Sequence, residues 1–232
     1  MIADNLRHVH SRIASACSRA GRPVQSVTLL VVSKTFSAEA VRAAFAAGER
    51  WFGENHVQEA VDKIEALADL RGAVQWHLIG PLQSNKTRVV AETFDWVHSI
   101  DRVKTAQRLS AQRPAHLPPL SICLQVNVSG EASKAGFAPR DVSAAAKEIA
   151  RLPRLELRGL MAIPAPVAGE EAQRRPHHAL RELFEALRRE GRALDTLSIG
   201  MSADLEAAIA EGSTLVRIGS AIFGERTRVD DG

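Results

Sequence analysis

The hydrophobic pattern of the chain is strongest over residues 27–34, where a nearly unbroken run of apolar and β-branched residues leads into Lys34. Such a run is typical of a strand that is buried on both faces, in a parallel sheet covered by helices. A lysine at the carboxyl end of this strand either reaches solvent or stands where α/β folds place their reactive groups. The pattern of the other strands indicates whether Lys34 is exposed to solvent or belongs to a functional site.

Similar apolar runs alternate with helical patterns along the rest of the chain. Strands are predicted at 27–34, 50–55, 74–80, 96–100, 121–128, 155–163, 196–200 and 215–224. Helices are predicted at 38–48, 57–70, 85–93, 102–112, 139–152, 170–190 and 202–212. A further amphipathic helix at the N-terminus carries Ile2, Leu6, Val9, Ile13 and Cys17 at helical spacing.

Eight strands that alternate with helices predict a single α/β domain over residues 1–232, a closed (β/α)8 TIM barrel. The N-terminal helix takes the place of the missing eighth helix. An open doubly wound sheet is the alternative fold, but no glycine-rich turn follows the first strand.

Polar residues on the predicted strands indicate which side chains face the barrel interior, because the apolar parity of each strand faces the helices. On the third strand this places Gln75 and His77 inside, and on the eighth it places Arg217 and Gly219 inside. The residues expected to line the interior with Lys34 are Asn55, His77, Asn127, Met161 and Arg217. Since a buried arginine is costly unless it is paired or bound to a ligand, this set indicates a binding site.

The loops after the seventh and eighth strands have the composition of a phosphate site, and these loops commonly bind phosphate in barrel enzymes. The first loop contains Gly200 and Ser202, with Ser202 predicted as the N-cap of the next helix, and the second contains Gly219 and Ser220. Glycine lets backbone N–H groups approach a phosphate, and a helix N-terminus favours an anion. Each residue alone is explained by an ordinary cap or turn. The two loops together favour a phosphate cup.

The first and eighth strands are neighbours in a closed barrel, so Lys34 is expected beside this cup with Arg217 between them. A lysine that forms a Schiff base, a phosphate cup and an arginine placed for a pyridine nitrogen together indicate a pyridoxal 5′-phosphate (PLP) site. Arginine in that position disfavours protonation of the ring nitrogen by like-charge repulsion. Transamination and decarboxylation are therefore disfavoured.

Seven blocks of sequence then identify a family. In order they are VVSKT (31–35), FGENHVQEA (52–60), WHLIGPLQSNK (76–86), VNVSGEASKAGF (126–137), LRGLMAIPAP (157–166), LSIGMSADLEAAI (197–209) and GSTLVRIGSAIFGER (212–226). With these blocks the chain resembles, from end to end, the pyridoxal phosphate homeostasis proteins (the YggS/PROSC group), relatives of the alanine racemase N-terminal barrel. One departure is visible: the family often continues the lysine motif as SKTKP, whereas this chain reads SKTFS (33–37), which makes the mouth of the site less basic.

The resemblance implies an alanine-racemase-like barrel that holds PLP as a Schiff base on Lys34. The implied cofactor-binding residues are Lys34 for the Schiff base, Ser202, Gly219 and Ser220 for the phosphate, Arg217 for the pyridine nitrogen, and Asn55, His77 and Met161 around the ring. It assigns no residue a catalytic role and implies no metal. The implied function is intracellular PLP homeostasis and delivery, with apo-enzymes that need PLP as recipients and an indirect effect on amino-acid metabolism.

Two enzymatic alternatives remain open. An amino-acid racemase would use Lys34 and a second base, for instance His77, because racemisation needs bases on both faces of the substrate Cα. In alanine racemase the second base is a tyrosine of an additional β-domain, whereas this chain has no tyrosine and its sequence ends at Gly232, soon after the eighth strand. A phosphosugar aldolase with Lys34 as its Schiff base would fit the barrel but not the seven blocks.

The composition of the chain limits the classes of binding partner and the cellular compartment that we expect. The net charge of +3 comes from scattered arginines, and no stretch is long and apolar enough for a membrane span. Cys17 and Cys123 lack metal-ligand spacing and are expected as reduced core residues. We therefore expect a cytoplasmic monomer with PLP as its ligand and with neither nucleic acid nor membrane as a partner.

Three predictions concern charged and polar residues outside the proposed site. Asp62, Lys63 and Glu65 are expected on an exposed helix face. His177 and His178 are expected in solvent near the start of the long charged helix, and His98 is expected inside the barrel as a structural histidine.

Overall fold

The structure, a computed structural model, describes residues 1–131 and 134–224 and contains eight parallel strands closed into a barrel. The strands are β1 (Thr28–Val32), β2 (Trp51–Glu54), β3 (Gln75–Leu78), β4 (Trp96–Ile100), β5 (Leu120–Gln125), β6 (Leu155–Met161), β7 (Thr196–Ser198) and β8 (Leu215–Ile218). Each strand pairs with the next in the sequence, and β8 returns to pair with β1. The predicted closed barrel is confirmed.

Helices surround this barrel. They are α1 (Ile2–Arg19), α2 (Ala38–Ala46), α3 (Val57–Ala66), α4 (Thr87–Thr93), α5 (Val103–Gln112), α6 (Val142–Ile149), α7 (Glu170–Arg189), α8 (Leu205–Ala210) and α9 (Ser220–Phe223). Short 3₁₀ turns lie at Val24–Ser26, Ala68–Leu70, Ser84–Lys86 and Pro139–Asp141. None of the helices in the described ranges is both long enough and apolar enough to cross a membrane.

The hydrophobic run of β1 is continuous because both faces of the strand are buried. Leu30 and Val32 point into the barrel, where they form a small apolar cluster with Ile79, which directly follows β3, and with Leu215 of β8. Leu29 belongs to the larger core between the strands and the helices. The alternation places Lys34, two residues beyond Val32, on the interior parity.

Helix α1 covers the side of the barrel between α2 and α8, where it contacts α9 as well. Its apolar stripe, which includes Leu6, Val9 and Ile13, is buried as predicted. Polar contacts hold it in place: Asn5 Nδ2 donates to the carbonyl oxygen of Ile222 at 2.8 Å, and Arg12 pairs with Glu206 of α8 at 2.9 Å.

Two predicted boundaries are wrong. The last strand was expected to reach residue 224, but β8 ends at Ile218, and after Gly219 the four residues Ser220–Phe223 form α9. A short apolar run fits either a strand or a helix, and Gly219 interrupts it here. Helix α8 begins at Leu205, so Asp204 and not Ser202 occupies the N-cap position.

The other strands, apart from β4, are shorter at their ends than predicted. The expected short segment after the last strand, residues 225–232, lies outside the described residues, as do residues 132–133 of the fourth sequence block.

Candidate functional site

A cavity of about 490 Å³ opens at the carboxyl ends of the strands, next to the β1–β8 pair. Its lining consists of Val32, Lys34, Phe36, Asn55, Ile79, Ile163, Met201, Ser202, Ala203, Arg217, Gly219 and Ser220. Six of the eight residues expected to bind the cofactor lie on this cavity, and its volume is in the range of small-molecule sites. The same end of the barrel holds the active site in barrel enzymes.

A larger open groove, of about 670 Å³, lies on the outer surface between α7 and the end of α8. It is lined by charged side chains, and several of these pair with one another, such as Arg174 with Glu211 at 2.6 Å. Its lining contains neither a lysine nor a serine, so the cavity at the strand ends is the better candidate for the expected site.

Lys34 follows β1 in a tight turn. The Ser33 N–H donates to the Gly53 carbonyl of β2, and the Phe36 N–H donates back to the Ser33 carbonyl at 3.1 Å. Thr35 has a φ of +68°, a conformation that a β-branched residue adopts at a cost of about 1–3 kcal/mol. The turn brings Lys34 and Phe36 to the cavity wall.

Phe36 lies in the segment where this chain departs from the motif of the resemblance, and its ring stacks on that of Phe223 of α9 with the centroids 4.6 Å apart. The two rings form an apolar contact between the β1 turn and α9 at the mouth of the cavity.

The loops after β7 and β8 both contribute to the lining of the cavity. Ser202 lies in the first loop, whose Met201 N–H donates to Asp204 Oδ1 at 2.7 Å. Gly219 and Ser220 form the second loop, and Ser220 is the first residue of α9. A helix begins after each of these two strands, α8 at Leu205 and α9 at Ser220. The first N–H groups of α9 have no acceptor within the helix, so they suit an anion.

Gly219 has a steric reason to be glycine. A Cβ at this position would lie 2.8 Å from the backbone carbonyl oxygen of Val32. The absence of a side chain lets β8 and β1 approach at the floor of the cavity and leaves room for a ligand there.

Arg217 lies on β8 with only 4% of its surface exposed. Its Nη1 donates to both the carbonyl oxygen and the hydroxyl of Ser198 on β7, and its Nη2 donates to the Ala162 carbonyl at 2.9 Å. Burial lowers the pKa of Arg217 to about 10, against the opposing charge of Asp204. The guanidinium therefore stays charged near neutral pH, and it forms the positively charged base of the cavity.

A chain of hydrogen bonds continues from Ser198 beneath the cavity. His98 Nδ1 lies 2.9 Å from Ser198 Oγ, and His98 Nε2 lies 2.9 Å from His77 Nδ1. Because Arg217 can only donate, the Ser198 hydroxyl oxygen accepts a hydrogen bond from it. The tautomers of His98 and His77 set the directions of the other two hydrogen bonds in the chain.

Both histidines are fully buried, and burial is the main cause that lowers their pKa values. For His77 the pKa falls well below the ordinary value, and for His98 it falls to about 3. His98 is thus the structural histidine that was expected.

His77 and Met161 were expected around a cofactor ring, but neither lines the cavity. His77 stacks between Trp51 and Trp96, with ring centroids at 5.0 and 5.2 Å. Met161 packs with Trp96 and Cys123 in the same interior layer. Parity places both side chains inside the barrel correctly, but the bulky tryptophans fill the space around them, one layer below the cavity.

Asn55 and Asn127 follow their strands in different ways. Asn55 lines the cavity, and its backbone is so close to Gly80 that a Cβ there would meet the Asn55 carbonyl oxygen at 2.1 Å. Asn127 donates to the Glu131 carbonyl and lines a separate cavity of about 210 Å³. It therefore lies apart from Lys34, contrary to the prediction.

Two expectations about exposed residues are wrong. Lys63 is only 6% exposed and pairs with the buried Glu54 at 2.6 Å, so α3 turns this side chain toward the barrel. His177 is completely buried and its Nε2 lies 2.9 Å from Asp204 Oδ2. In both cases the polar partner lies outside the helix, Glu54 on β2 and Asp204 in the loop after β7, and helical periodicity alone cannot reveal it.

The described residues contain no group of three or more side chains suited to a metal ion. Both cysteines are free and buried, as expected.

Comparison with known proteins agrees with this geometry. Residues 4–227 match the family described as alanine racemase, N-terminal domain. A pyridoxal phosphate homeostasis protein of Pseudomonas aeruginosa is 60% identical over 225 residues, which cover 97% of this chain and 96% of the relative. A protein of the same name from Escherichia coli K12 is 52% identical, with 97% of each chain covered.

Solved structures give the same result. PipY of Synechococcus elongatus, in a structure with PLP bound, has a TM-score of 0.83 at 36% identity and covers 97% of this chain and 100% of its own. Alanine racemase of Clostridium difficile has a TM-score of 0.75 at 14% identity, covers 98% of this chain and 58% of its own, and shares the fold. By its sequence identity to the curated relatives, the chain belongs to the pyridoxal phosphate homeostasis protein family.

Proposed function

We propose that this protein binds PLP as a Schiff base on Lys34 and serves to store and deliver the cofactor. The observation that carries the proposal is the convergence of an amine, a buried guanidinium and two serine loops on one cavity. The PLP-bound PipY structure and the names of the curated relatives support it.

The residues on the cavity fit this cofactor. PLP supplies an aldehyde, with which a lysine amine condenses by losing one water molecule. Ser202, Ser220 and the first N–H groups of α9 are suited to the phosphate, and the gap left by Gly219 makes room for it. Arg217 would face the pyridine nitrogen and disfavour its protonation.

Among the described cavity residues, Lys34 carries the one amine, and the guanidinium of Arg217 stays charged near neutral pH and cannot accept a proton. Amino-acid racemisation needs a base on each face of the substrate Cα, and His77 is fully buried and does not line the cavity. We therefore propose that the loaded protein lacks robust catalysis and passes PLP to apo-enzymes in the cytoplasm.

Borohydride reduction of the protein incubated with PLP, followed by peptide mapping, tests the binding mode. The adduct is expected on Lys34, and Lys34→Ala is expected to lose the absorbance band near the edge of the visible range. An adduct elsewhere, with that band retained in the variant, would refute the assignment.

Solvent deuterium exchange at Cα of L- and D-alanine tests the absence of catalysis. We expect negligible exchange of either enantiomer and, in a separate incubation, transfer of PLP to an apo-enzyme. Rapid exchange of both enantiomers that is lost in Lys34→Ala would favour the racemase instead.

A further inference from the structure

The turn that carries Lys34 is held from outside the cavity by a buried charged cluster. The Lys63 ammonium of α3 donates to Ser33 O at 2.8 Å, to Glu54 Oε1 at 2.6 Å and to Glu59 Oε1 at 3.2 Å. An ammonium group has three donors, so these bonds use its full capacity. The cluster of Glu54, Glu59 and Lys63 is called the lysine clamp below.

The clamp reaches the backbone on both sides of Lys34. On one side, Ser33 accepts from Lys63 through its carbonyl and donates its hydroxyl to Glu54 Oε1 at 2.6 Å. On the other side, the Thr35 N–H donates to Glu59 Oε1. The positive φ of Thr35 is unfavourable for a β-branched residue, and such a conformation persists only where surrounding contacts fix it. The clamp supplies those contacts.

Stability alone does not explain this arrangement. Glu54 is completely buried and Lys63 nearly so. Taking such a pair out of water costs about as much as the pairing returns, and apolar residues of similar size often serve the fold as well. The charged side chains also hydrogen-bond Ser33 and Thr35 on either side of Lys34 and so fix the backbone of this turn. Apolar residues could not form these hydrogen bonds.

We infer that Lys63, together with Glu54 and Glu59, positions Lys34 so that its amine meets the aldehyde of PLP in the cavity. The clamp residues do not line the cavity, so they are positioning residues that act through the Ser33–Thr35 backbone. This inference rests on the proposed function, since it concerns the condensation of Lys34 with an aldehyde.

Two ligands separate positioning from folding. PLP can condense with Lys34, whereas pyridoxine 5′-phosphate has the same ring and phosphate but an alcohol in place of the aldehyde. The variant is Lys63→Met with Glu54→Gln, which removes both buried charges together and keeps the side-chain volumes. We expect condensation with PLP to slow by about tenfold or more, because small misplacements of a reacting group cost that much. The affinity for pyridoxine 5′-phosphate is expected to stay within about twofold.

A matched control lies at the other end of the barrel. Arg71 forms a bidentate ion pair with Asp95, which directly precedes β4, and both N–O distances are 2.9 Å. The variant Arg71→Met with Asp95→Asn removes a partly buried pair far from Lys34. It is expected to leave the PLP condensation rate and the affinity for both ligands unchanged, whatever it does to the unfolding temperature.

Glu59→Ala gives a second test, and it creates no buried cavity because the Glu59 side chain is 30% exposed. It removes the acceptor of the Thr35 N–H and is expected to slow condensation by about threefold, the effect of one ordinary hydrogen bond. Its affinity for pyridoxine 5′-phosphate is again expected to be unchanged.

The outcomes of these experiments test the proposed PLP-binding function and the role of the lysine clamp separately. A wild-type protein that forms no adduct with PLP refutes the proposed function and the clamp with it. Wild-type condensation in both clamp variants refutes the clamp alone. Equal losses for PLP and pyridoxine 5′-phosphate mean that the cluster acts through the fold, and they also overturn the inference.

Discussion

Arg217 and Ser198 are joined twice across the β7–β8 pair, because the Arg217 Nη1 donates to the serine carbonyl at 2.5 Å and to its hydroxyl at 2.8 Å. Ser198 in turn connects the guanidinium to His98 and His77. The orientation of the guanidinium at the base of the cavity is therefore fixed by Ser198 and by the Ala162 carbonyl, and the two histidines act on it only through Ser198.

Ser198→Ala should destabilise the fold by about 1.5–3 kcal/mol, because it removes the hydroxyl that accepts a hydrogen bond from the buried, charged Arg217 and leaves only the Ser198 carbonyl for Nη1. Urea unfolding measures the change. Ser110→Ala is a suitable control, since Ser110 is also buried but makes one neutral hydrogen bond, to the Pro153 carbonyl at 2.6 Å. A loss in Ser198→Ala no greater than that in Ser110→Ala would show that the connection to Arg217 adds nothing.

The buried histidines predict a pH dependence of stability with a defined sign. The pKa of His98 is about 3 in the fold, against about 6.5 for an unfolded histidine. Between these values the unfolded chain binds a proton that the native state excludes, so stability falls as the pH drops below about 6.5. The slope is at most about 1.4 kcal/mol per pH unit for each histidine.

The unfolding free energy at pH 7 and pH 5.5 measures this slope. His98→Gln is expected to reduce it by the contribution of one histidine, whereas Ser110→Ala introduces no titrating group and should keep the wild-type slope. An unchanged slope in His98→Gln would contradict the neutral state assigned to this residue.

The phosphate cup predicts that substitutions in it weaken the binding of PLP but not the binding of unphosphorylated pyridoxal. Ser202→Ala and Ser220→Ala each remove a hydroxyl donor to a charged acceptor, a loss on the order of 1.5–3 kcal/mol. Affinity for PLP should fall by about tenfold or more in each variant, as measured by titration. Unphosphorylated pyridoxal is the internal control and should bind as it does to the wild-type protein. Equal losses for both compounds would place the effect in the fold and not on the phosphate.

Gly219→Ala should disturb the same region by steric means. The new Cβ would lie 2.8 Å from the Val32 carbonyl oxygen, so the strands must shift, at a cost of about 1–3 kcal/mol. Both the unfolding temperature and the affinity for PLP are expected to fall. At Gly72 a Cβ would meet nothing within 4 Å, and Gly72→Ala should leave PLP binding unchanged. Normal PLP binding by Gly219→Ala would mean that the close approach at this glycine is not needed.

Much of the architecture follows from local patterns. Strands of a barrel covered by helices read as apolar runs, and the parity of Leu30 and Val32 places Lys34 on the interior side. The same parity places Arg217 and His77 inside the barrel. These predictions succeed because the two-residue period of a strand is a geometric property of the backbone.

The depth of a side chain inside the barrel is harder to predict. His77 and Met161 have the correct parity, yet they lie below the cavity in a layer filled by Trp51 and Trp96. Parity gives the direction of a side chain but not its height along the barrel axis. That height depends on the stagger between strands, which only the closed barrel defines.

Buried charges on helices were missed for a related reason. Lys63 resembles a solvent-exposed residue of an amphipathic helix, but its partner Glu54 lies on a strand. His177 similarly finds Asp204 in a loop that is distant in sequence. In the sequence, two glutamates near a lysine in the FGENHVQEAVDK segment are compatible with ordinary surface pairs. Burial becomes evident only when the helix is packed on the barrel.

The pairing of β1 with β8 also has a consequence for the order of events in the cell. Leu30 lies opposite Arg217 in this pair, so the segment that leads to Lys34 and the arginine of the cavity come from distant parts of the chain. During synthesis on the ribosome, Lys34 is added early and Arg217 late. Domains fold largely as units, so the cavity forms only after β8 has been made. A cofactor bound in this cavity would stabilise only the completed barrel. Unfinished chains would therefore not sequester it while they are being synthesised.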